Sequence, residues 1–549
     1  MKKSLFIALA AMGFVACAEK AETNVPVNNG EKEQSFMAVT FTADDITRAD
    51  DGKYAEGTEA ERAVKSAYVF FFKENGEAFY VTDGGETSTN SGPNNYIKVD
   101  LEKEGENMNN VSDVNKSVLV LKNYKGEYPA QVVAVLNWTP DQNSYTLNNL
   151  KTKMTGLGND TDGYVMCNAA YLDNAGKEKY TTDVRIENIV KLTAGESVED
   201  AKARAAATPV VIHVERVAAK VEFTAKDNGK FHVGEVNSTP VYAQITGYEL
   251  YNDYEESWLM KRIDPAWGLT SAVIGFNWND ANWFRSYWAK SIAKSFDENN
   301  SFSWNYNAEA EKFNSTEFDS NTNTTLPLYC CENTREWSEA NDVRTKVIVK
   351  ARLVDANKNA VELVNWYGKY YVGEDTVKAV VANTLANNYY FPTNTEHTNF
   401  TGIEGTDLVC IMRDVADAKA FEVFFQLSEA GEAKTWYEYK DGKYVAIDKT
   451  VLNERLAAVE PALVYNDGMT YYYTNIKHLG AEDTTAEFGV VRNHLYRVNV
   501  TDIVGYGTPV YNGSTGFITP EKPVDVSTYV AAQVNILSWR IVEEDYELN

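Results

Sequence analysis

The stretch AYVFFFKENGEAFYV (67–81) decides the fold class. Its first six residues are almost all aromatic or β-branched, which suits a strand. Asn75-Gly76 then supplies the strongest short-range hairpin signal, and an apolar arm resumes at Ala78. Reading outward, short apolar runs recur at 118–121, 132–136, 164–166, 210–214, 217–223, 346–353, 361–364, 423–427, 471–473 and 495–500, bounded by Gly, Asn, Asp or Pro. Many short strands separated by such turns predict an all-β chain built of sandwiches. Helical pattern is confined to 59–65 and to SVEDAKARAA (197–206), where Ser197 ahead of Glu199 and Asp200 makes a helix start.

The chain has 549 residues, 44% apolar and 24% charged, the mix of a folded globular protein. That length allows three or four domains, or two if each is a large β domain. A net charge of −27 repels phosphate backbones, which sets nucleic acid aside as a partner. The 34 Tyr, 23 Phe and 11 Trp favour strands, while five Cys and five His leave little material for metal or nucleophile chemistry.

At the start, Lys2 and Lys3 precede an apolar stretch (5–15) that ends in small residues before Cys17, the pattern of a secretory signal. FVAC (14–17) resembles a bacterial lipobox with an aromatic where Leu is usual, so residues 1–16 read as a signal peptide and Cys17 as a lipidation site; the plainer alternative is cleavage near Ala16 or Ala18. No later apolar run reaches the length of a spanning helix, which leaves lipid as the anchor. Residues 18–34 read as a polar tether. SFMAVTFT (35–42) alternates with period two and predicts a half-buried strand. The charged segment after it (43–51) holds one basic residue, Arg48, so a trypsin-like protease would find Arg48–Ala49 there; by composition alone the segment is a solvated loop.

Residues 197–209 separate a first block from a larger second one, with a boundary near Thr208. Between 251 and 325 lies a Trp-rich excursion, with six Trp from Trp258 to Trp304 among amides and hydroxyls. Such rings either stack on sugars or fill a structured excursion.

GNDTDG (158–163) has the alternating oxygens of a calcium loop, but position twelve is Ala169 where a bidentate Glu is required, so it reads as a turn. His213, His232, His397, His478 and His494 have no metal-ligand spacing, and no nucleophile elbow, phosphate loop or dinucleotide fingerprint is present. No catalytic residue, metal or cofactor is expected. Cys330 and Cys331 would face opposite sides of a strand, leaving at most one buried; Cys167 and Cys410 cannot be paired from sequence.

LPLYCCENT (326–334) resembles the C-x-E-N-T signature of Bacteroidales fimbrillins of the Mfa type. TYYYTNIKHLG (470–480) and FGVVRNHLYRVNVTDIVGYGTPV (488–510) fit the same family in order, and VVAVLN (132–137), GYVMCN (163–168) and VERVAAKVEF (214–223) resemble its N-terminal block and inter-block strand. The resemblance implies a shaft subunit of a type V pilus with two transthyretin-like β-sandwich domains in tandem (49–208 and 209–528), exported as a lipoprotein to the outer membrane. It further implies that an Arg-specific protease cuts between Arg48 and Ala49, releasing the first strand of a pro-segment (17–48). The opened groove then takes a C-terminal donor segment (529–549) from another copy, with anchor and tip accessory subunits as further partners. The residues of YVAAQVNILSWRIV (529–542) suit that role. Val534 and Ile536 lie on one alternating face and Trp539 and Ile541 on the other, with a phase change at 536–537 that predicts either a bulge or a strand whose two halves bury opposite faces. From another class, the runner-up is a non-polymerising surface lipoprotein that binds glycans through the Trp-rich excursion.

Overall fold

The computed structural model describes residues 35–42, 55, 57–81, 93–99, 102–103, 106–107, 117–121, 127–193, 195–251, 256–268, 274–292, 314–319, 324–334, 344–412, 422–511 and 529–537. AYVFFF forms strand Ala67–Phe72, paired antiparallel with Gln131–Leu136 on one edge and Tyr96–Lys98 on the other. Ala67, Val69 and Phe71 enter one core with Met37, Leu119 and Ile212. Phe70 and Phe72 enter another on the opposite face with Tyr145 and Leu259. A sheet covered on both faces explains why the run is unbroken rather than alternating. The expected turn forms, with Gly76 at φ +81° and the Gly76 N–H donating to the Lys73 carbonyl. Its return arm, however, makes only the isolated bridge Phe72↔Ala78, and the long partner arrives from 96–98.

This first sheet has nine strands, with Ser35–Thr42 between Ile189–Lys191 and Val210–Arg216 in its order. Strand Val210–Arg216 therefore belongs with the first block, and the second begins at Ala219–Ala225, so the sheets divide near 217–218 rather than at 208. Helix Val198–Ala207, capped by the Ser197 side chain, sits against Val190 through Ala201 and Ala205, so it is a packed part of the first block.

The second sheet has eleven strands and includes Thr239–Tyr251, Lys346–Val354, Met469–Asn475 and Leu495–Val504. Its core holds Phe223, Tyr248, Val349, Tyr496 and Val498. Within 363–465 a third core appears that the two-sandwich reading lacks. A five-stranded and a four-stranded sheet close there on helices Glu374–Leu385 and Lys449–Leu456, through Val377, Val381, Leu452 and Trp436. The chain is nevertheless all-β in class, with short helices placed between sheets.

Among the described residues of the Trp-rich excursion, two tryptophans are interior. Trp278 and Trp288 are buried with Ala170 and Leu172 of the first block and Ala486 and Val491 of the second. Among its described tryptophans only Trp283 is exposed, which removes most of the basis for sugar stacking there; Trp304 lies outside the described residues. The 158–163 segment is a hairpin turn in which Asn159 Oδ1 accepts the Thr161 and Asp162 N–H groups. Cys330 and Cys331 are both buried, against the expectation of one, because the signature segment is covered on both sides where the two blocks meet.

Candidate functional site

Strand Ser35–Thr42 forms as its alternation predicts, and its place in the sheet is unusual for a chain-terminal element: both of its edges are occupied. Ser117–Leu121 runs antiparallel along one edge, from Ser35↔Leu121 to Val39↔Ser117. The other edge changes partner midway. Ser35 to Met37 pair antiparallel with Ile189–Lys191, and Val39 to Thr42 pair parallel with Val210–Arg216. Met37 is completely buried and shares its core with Leu119, Leu121, Val210 and Ile212. Taking this strand away would expose two ready ladders and an apolar slot at Met37. Cys17, Arg48 and Ala49 lie outside the described residues.

Strand Tyr529–Leu537 is the converse, with one neighbour. It runs antiparallel to Leu495–Val504, with Val534 opposite Val498 and Ile536 opposite Tyr496. The far edge of Leu495–Val504 is taken by Ala219–Ala225 in parallel. In the single chain, then, the C-terminal segment ends its own sheet rather than lying apart from it. The register irregularity falls in the partner strand, between Val500 and Asp502. The bulge expected at 536–537 has no counterpart there, since Ile536 and Leu537 pair in regular register. Trp539 and Ile541 lie outside the described residues.

Between the two sheets runs a seam of buried charge that includes the C-x-E-N-T residues. Glu61, at the end of a capped turn of helix, is fully buried in the first block. Its carboxylate meets Lys220 of the second sheet at 2.8 Å and accepts from the Tyr329 hydroxyl at 2.5 Å and the Thr58 N–H at 2.7 Å. Arg216 donates to the Glu61 carbonyl at 2.6 Å and to Asn493 Oδ1 at 3.3 Å. Deeper in, Lys261 reaches Glu215 at 3.2 Å and the Ser286 carbonyl at 2.6 Å. Glu332, the glutamate of the signature, accepts from the Arg492 N–H at 3.2 Å, and the Arg492 guanidinium also donates to the Leu259 carbonyl and Ser257 Oγ, both at 3.1 Å. His478 Nε2 lies 2.6 Å from the Tyr287 carbonyl and so donates to it, and Nδ1 lies 3.0 Å from Tyr496 Oη.

Burial on its own would raise the Glu61 carboxyl, but hydrogen bonds from Lys220 and Tyr329 and the Lys220 charge outweigh it and hold the group below the ordinary glutamate value of 4.5. A carboxylate depressed in the folded state contributes stability that is present above its unfolded value and lost as pH falls. The contribution of Glu61 is therefore present above the ordinary glutamate value and is lost as the pH falls through its depressed folded-state value. Glu61→Gln is expected to flatten the acid limb of a stability–pH curve, whatever its effect at neutral pH. An unchanged acid slope would contradict this reading. Burial drives His494 well below the usual histidine range, with His478 and Lys261 adding to the effect, so its ring is neutral.

A larger effect is expected from Glu332→Ala. The substitution leaves the fully buried Arg492 without its counter-charge, a loss of about 3–5 kcal/mol, or on the order of 10 °C in melting temperature. Glu332→Gln, which keeps an acceptor, should cost less. Equal melting of Glu332→Ala and the parent chain would show that the pair does not hold the seam.

Sequence reasoning did not assign this cluster a role: Glu215, Arg216, Lys220, Tyr329, Glu332, His478 and Arg492 stand inside family-like motifs without any sign that they meet, and Glu61 and Lys261 carry no such sign either. Its chemistry is that of a joint: most of its charges are paired across the two blocks. Among the described residues no group of three or more His, Cys, Asp or Glu could hold a metal ion, and no helix is long and apolar enough to cross a membrane.

Residues 463–545 match the family described as "Major fimbrial subunit protein type IV, Fimbrillin, C-terminal". The match takes in both Leu495–Val504 and Tyr529–Leu537. No curated protein matches the chain by sequence. Among solved structures, a fimbrilin from Porphyromonas gingivalis is 11% identical at a TM-score of 0.35, with 91% of this chain and 96% of that one covered. The tip fimbrial protein Mfa3 from the same organism, with a C-terminal truncation, is 10% identical at 0.28, covering 91% and 99%. A fimbrial assembly protein from Parabacteroides distasonis is 12% identical at 0.25, covering 74% and 98%.

Proposed function

We propose, for a chain whose C-terminal region is that of a fimbrillin, that it is a shaft-building subunit of a type V fimbria that polymerises by exchange of its terminal strands and supports adhesion and biofilm formation. The observation that carries this reading is the asymmetry of the two ends. Ser35–Thr42 occupies a seat with hydrogen-bonding partners on both sides and a buried anchor at Met37. It stands six residues before Arg48, the basic residue a trypsin-like protease would use. Among the described residues, Tyr529–Leu537 is paired along one edge. Cleavage at Arg48–Ala49 turns the first strand into a peptide held without covalent connection. The C-terminal strand of another copy, with Val534, Ile536, Trp539 and Ile541 as its apolar side chains, then adds to the vacated ladders. Repeated head to tail, such a contact does not close and gives an open filament.

Lipid on Cys17 carries the precursor to the outer membrane, and removal of residues 17–48 frees the subunit for the filament at the cell surface. Copies of itself are the main partner, an Arg-specific protease acts on the precursor, and anchor and tip subunits complete the fimbria. Division into a signal (1–16), a lipidated pro-segment (17–48), two sandwich regions and a donor segment (529–549) follows from the same reading, with the third core as an insertion in the second region. Treating purified precursor with a trypsin-like protease and running it unheated on a gel tests the proposal. Heat-resistant ladders are expected after cleavage, and persistent monomers would overturn it.

A further inference from the structure

The four-stranded sheet of the third core turns one face to that core and the other, rich in tyrosine, to solvent. Strands Tyr389–Pro392, Phe400–Gly402, Trp436–Lys440 and Lys443–Ile447 build it in antiparallel register. Trp436, Phe391 and Ile447 point inward, where they meet Leu452 and Val381. Alternation then puts Tyr390, Tyr437, Tyr439 and Tyr444 on the other side, because Tyr390 is opposite Tyr437 and Tyr439 is opposite Tyr444; Phe400, opposite Pro392, joins them. The charged residues of these strands, Glu438, Lys440 and Lys443, all fall on the inward parity. Five aromatic rings thus share a face without a formal charge.

The rings form a continuous layer. Phe400 stacks on Tyr444 with centroids 3.8 Å apart and planes 15° from parallel. Tyr439 and Tyr390 meet Tyr444 at 5.0 and 5.1 Å, and Tyr437 meets Phe400 at 5.1 Å. The layer is open: Tyr439 is 50% and Tyr444 40% exposed. Each tyrosine adds a hydroxyl, and His397 holds that of Tyr437 at 2.8 Å.

We infer that this face binds a neutral glycan. Aromatic rings carry electron-rich faces that attract weakly positive C–H groups, and the apolar face of a pyranose presents such groups in a plane. The tyrosine hydroxyls at the margin suit the sugar's own hydroxyls. Charge selects the class. The chain carries −27 overall, and the strands of this face place no formally charged side chain on it, so an anionic glycan is repelled and a neutral one is not. An exposed aromatic patch of this kind is a contact surface rather than a chance feature. The site is separate from the terminal strands, so it can act in every subunit of a filament, and its test does not depend on polymerisation.

The full-length chain is to be applied to an array of neutral hexose- and N-acetylhexosamine-terminated glycans beside their sialylated forms. Retention on at least one neutral glycan is expected, weakened about tenfold or more by Tyr439→Ala/Tyr444→Ala and largely kept by Tyr439→Phe/Tyr444→Phe, which preserves the ring faces. Tyr439→Lys, a single change at the most exposed ring, should weaken binding with an unchanged melting temperature and so separates lost binding from lost fold. Absence of neutral-glycan binding, preference for the sialylated forms, equal binding by the alanine pair, or an effect of these changes on self-association alone would each overturn the inference.

Discussion

Deletion of residues 529–549 is expected to abolish filament growth and leave a folded monomer. Among the described residues the deleted strand pairs with one neighbour, Leu495–Val504. That neighbour keeps its parallel partner Ala219–Ala225 on the other edge, from Lys220↔Leu495 to Ala225↔Val500. Its buried side chains Tyr496, Val498 and Val500 remain packed with Phe223, Tyr248 and Val349. The truncated chain therefore loses an edge ladder and retains its core, for a fall of only a few degrees in melting temperature, on the order of 1–2 kcal/mol. Assembly is expected to respond in an all-or-none way, because the proposed exchange draws its incoming strand from this segment. Electron microscopy of the protease-treated truncation, paired with a thermal melt, checks both halves. Filaments from the truncated chain would rule out strand exchange, and a collapse in melting temperature would assign the segment to its own subunit's core.

Arg48→Ala is expected to block assembly as completely, with the fold untouched. While Ser35–Thr42 remains covalently joined to the body, it competes for its seat as an intramolecular ligand, at an effective concentration in the millimolar range. An incoming strand from another copy must displace it against that advantage. Cutting the chain removes the advantage, and a released peptide of this length is diluted away. Gel ladders compared between Arg48→Ala and the parent chain under the same protease give the answer. A recognition sequence for an unrelated protease inserted at 48–49 should restore assembly when that protease is added. Ladder formation by uncut Arg48→Ala would remove the proposed trigger.

Which parts of this architecture can be read from the residues follows from the range of the forces involved. Ser35–Thr42 is legible to the residue because alternation and polar flanks are local properties. AYVFFF is equally clear as a strand, yet its partners are not, since pairing with 131–136 and 96–98 is decided by the sheet. Helix Glu374–Leu385 escapes notice for a physical reason. It begins after Gly373, which supplies no side-chain cap, and contains Val377, Val380 and Val381 together with Thr and Asn, all poor helix formers. Packing of Val377, Val381 and Ala382 into the third core stabilises it instead. Lys449–Leu456 did carry a signal, an Asp448 cap with Leu452 and Leu456 one turn apart. The buried charges are the least legible. Lys220, Lys261 and Arg216 look like surface residues, and partners such as Glu215 for Lys261 and Asn493 for Arg216 lie 46 and 277 positions away in the chain. Only the folded arrangement reveals them as the joint between the blocks.

The tyrosine face shows the reverse. Its residues look like an ordinary β-rich stretch, and what distinguishes them is parity: the register sends Tyr390, Phe400, Tyr437, Tyr439 and Tyr444 to one face and the charged residues of the strands to the other. A one-residue slip would reverse that arrangement.

The exchange account depends most directly on the subunit that filaments contain. Intact-mass measurement of subunits stripped from purified filaments should give chains that begin at Ala49, with no peptide containing Ser35–Thr42 retained. Filaments whose subunits still carry Ser35–Thr42 on an uncut chain would contradict the account, because the seat for the incoming strand would never have been vacated.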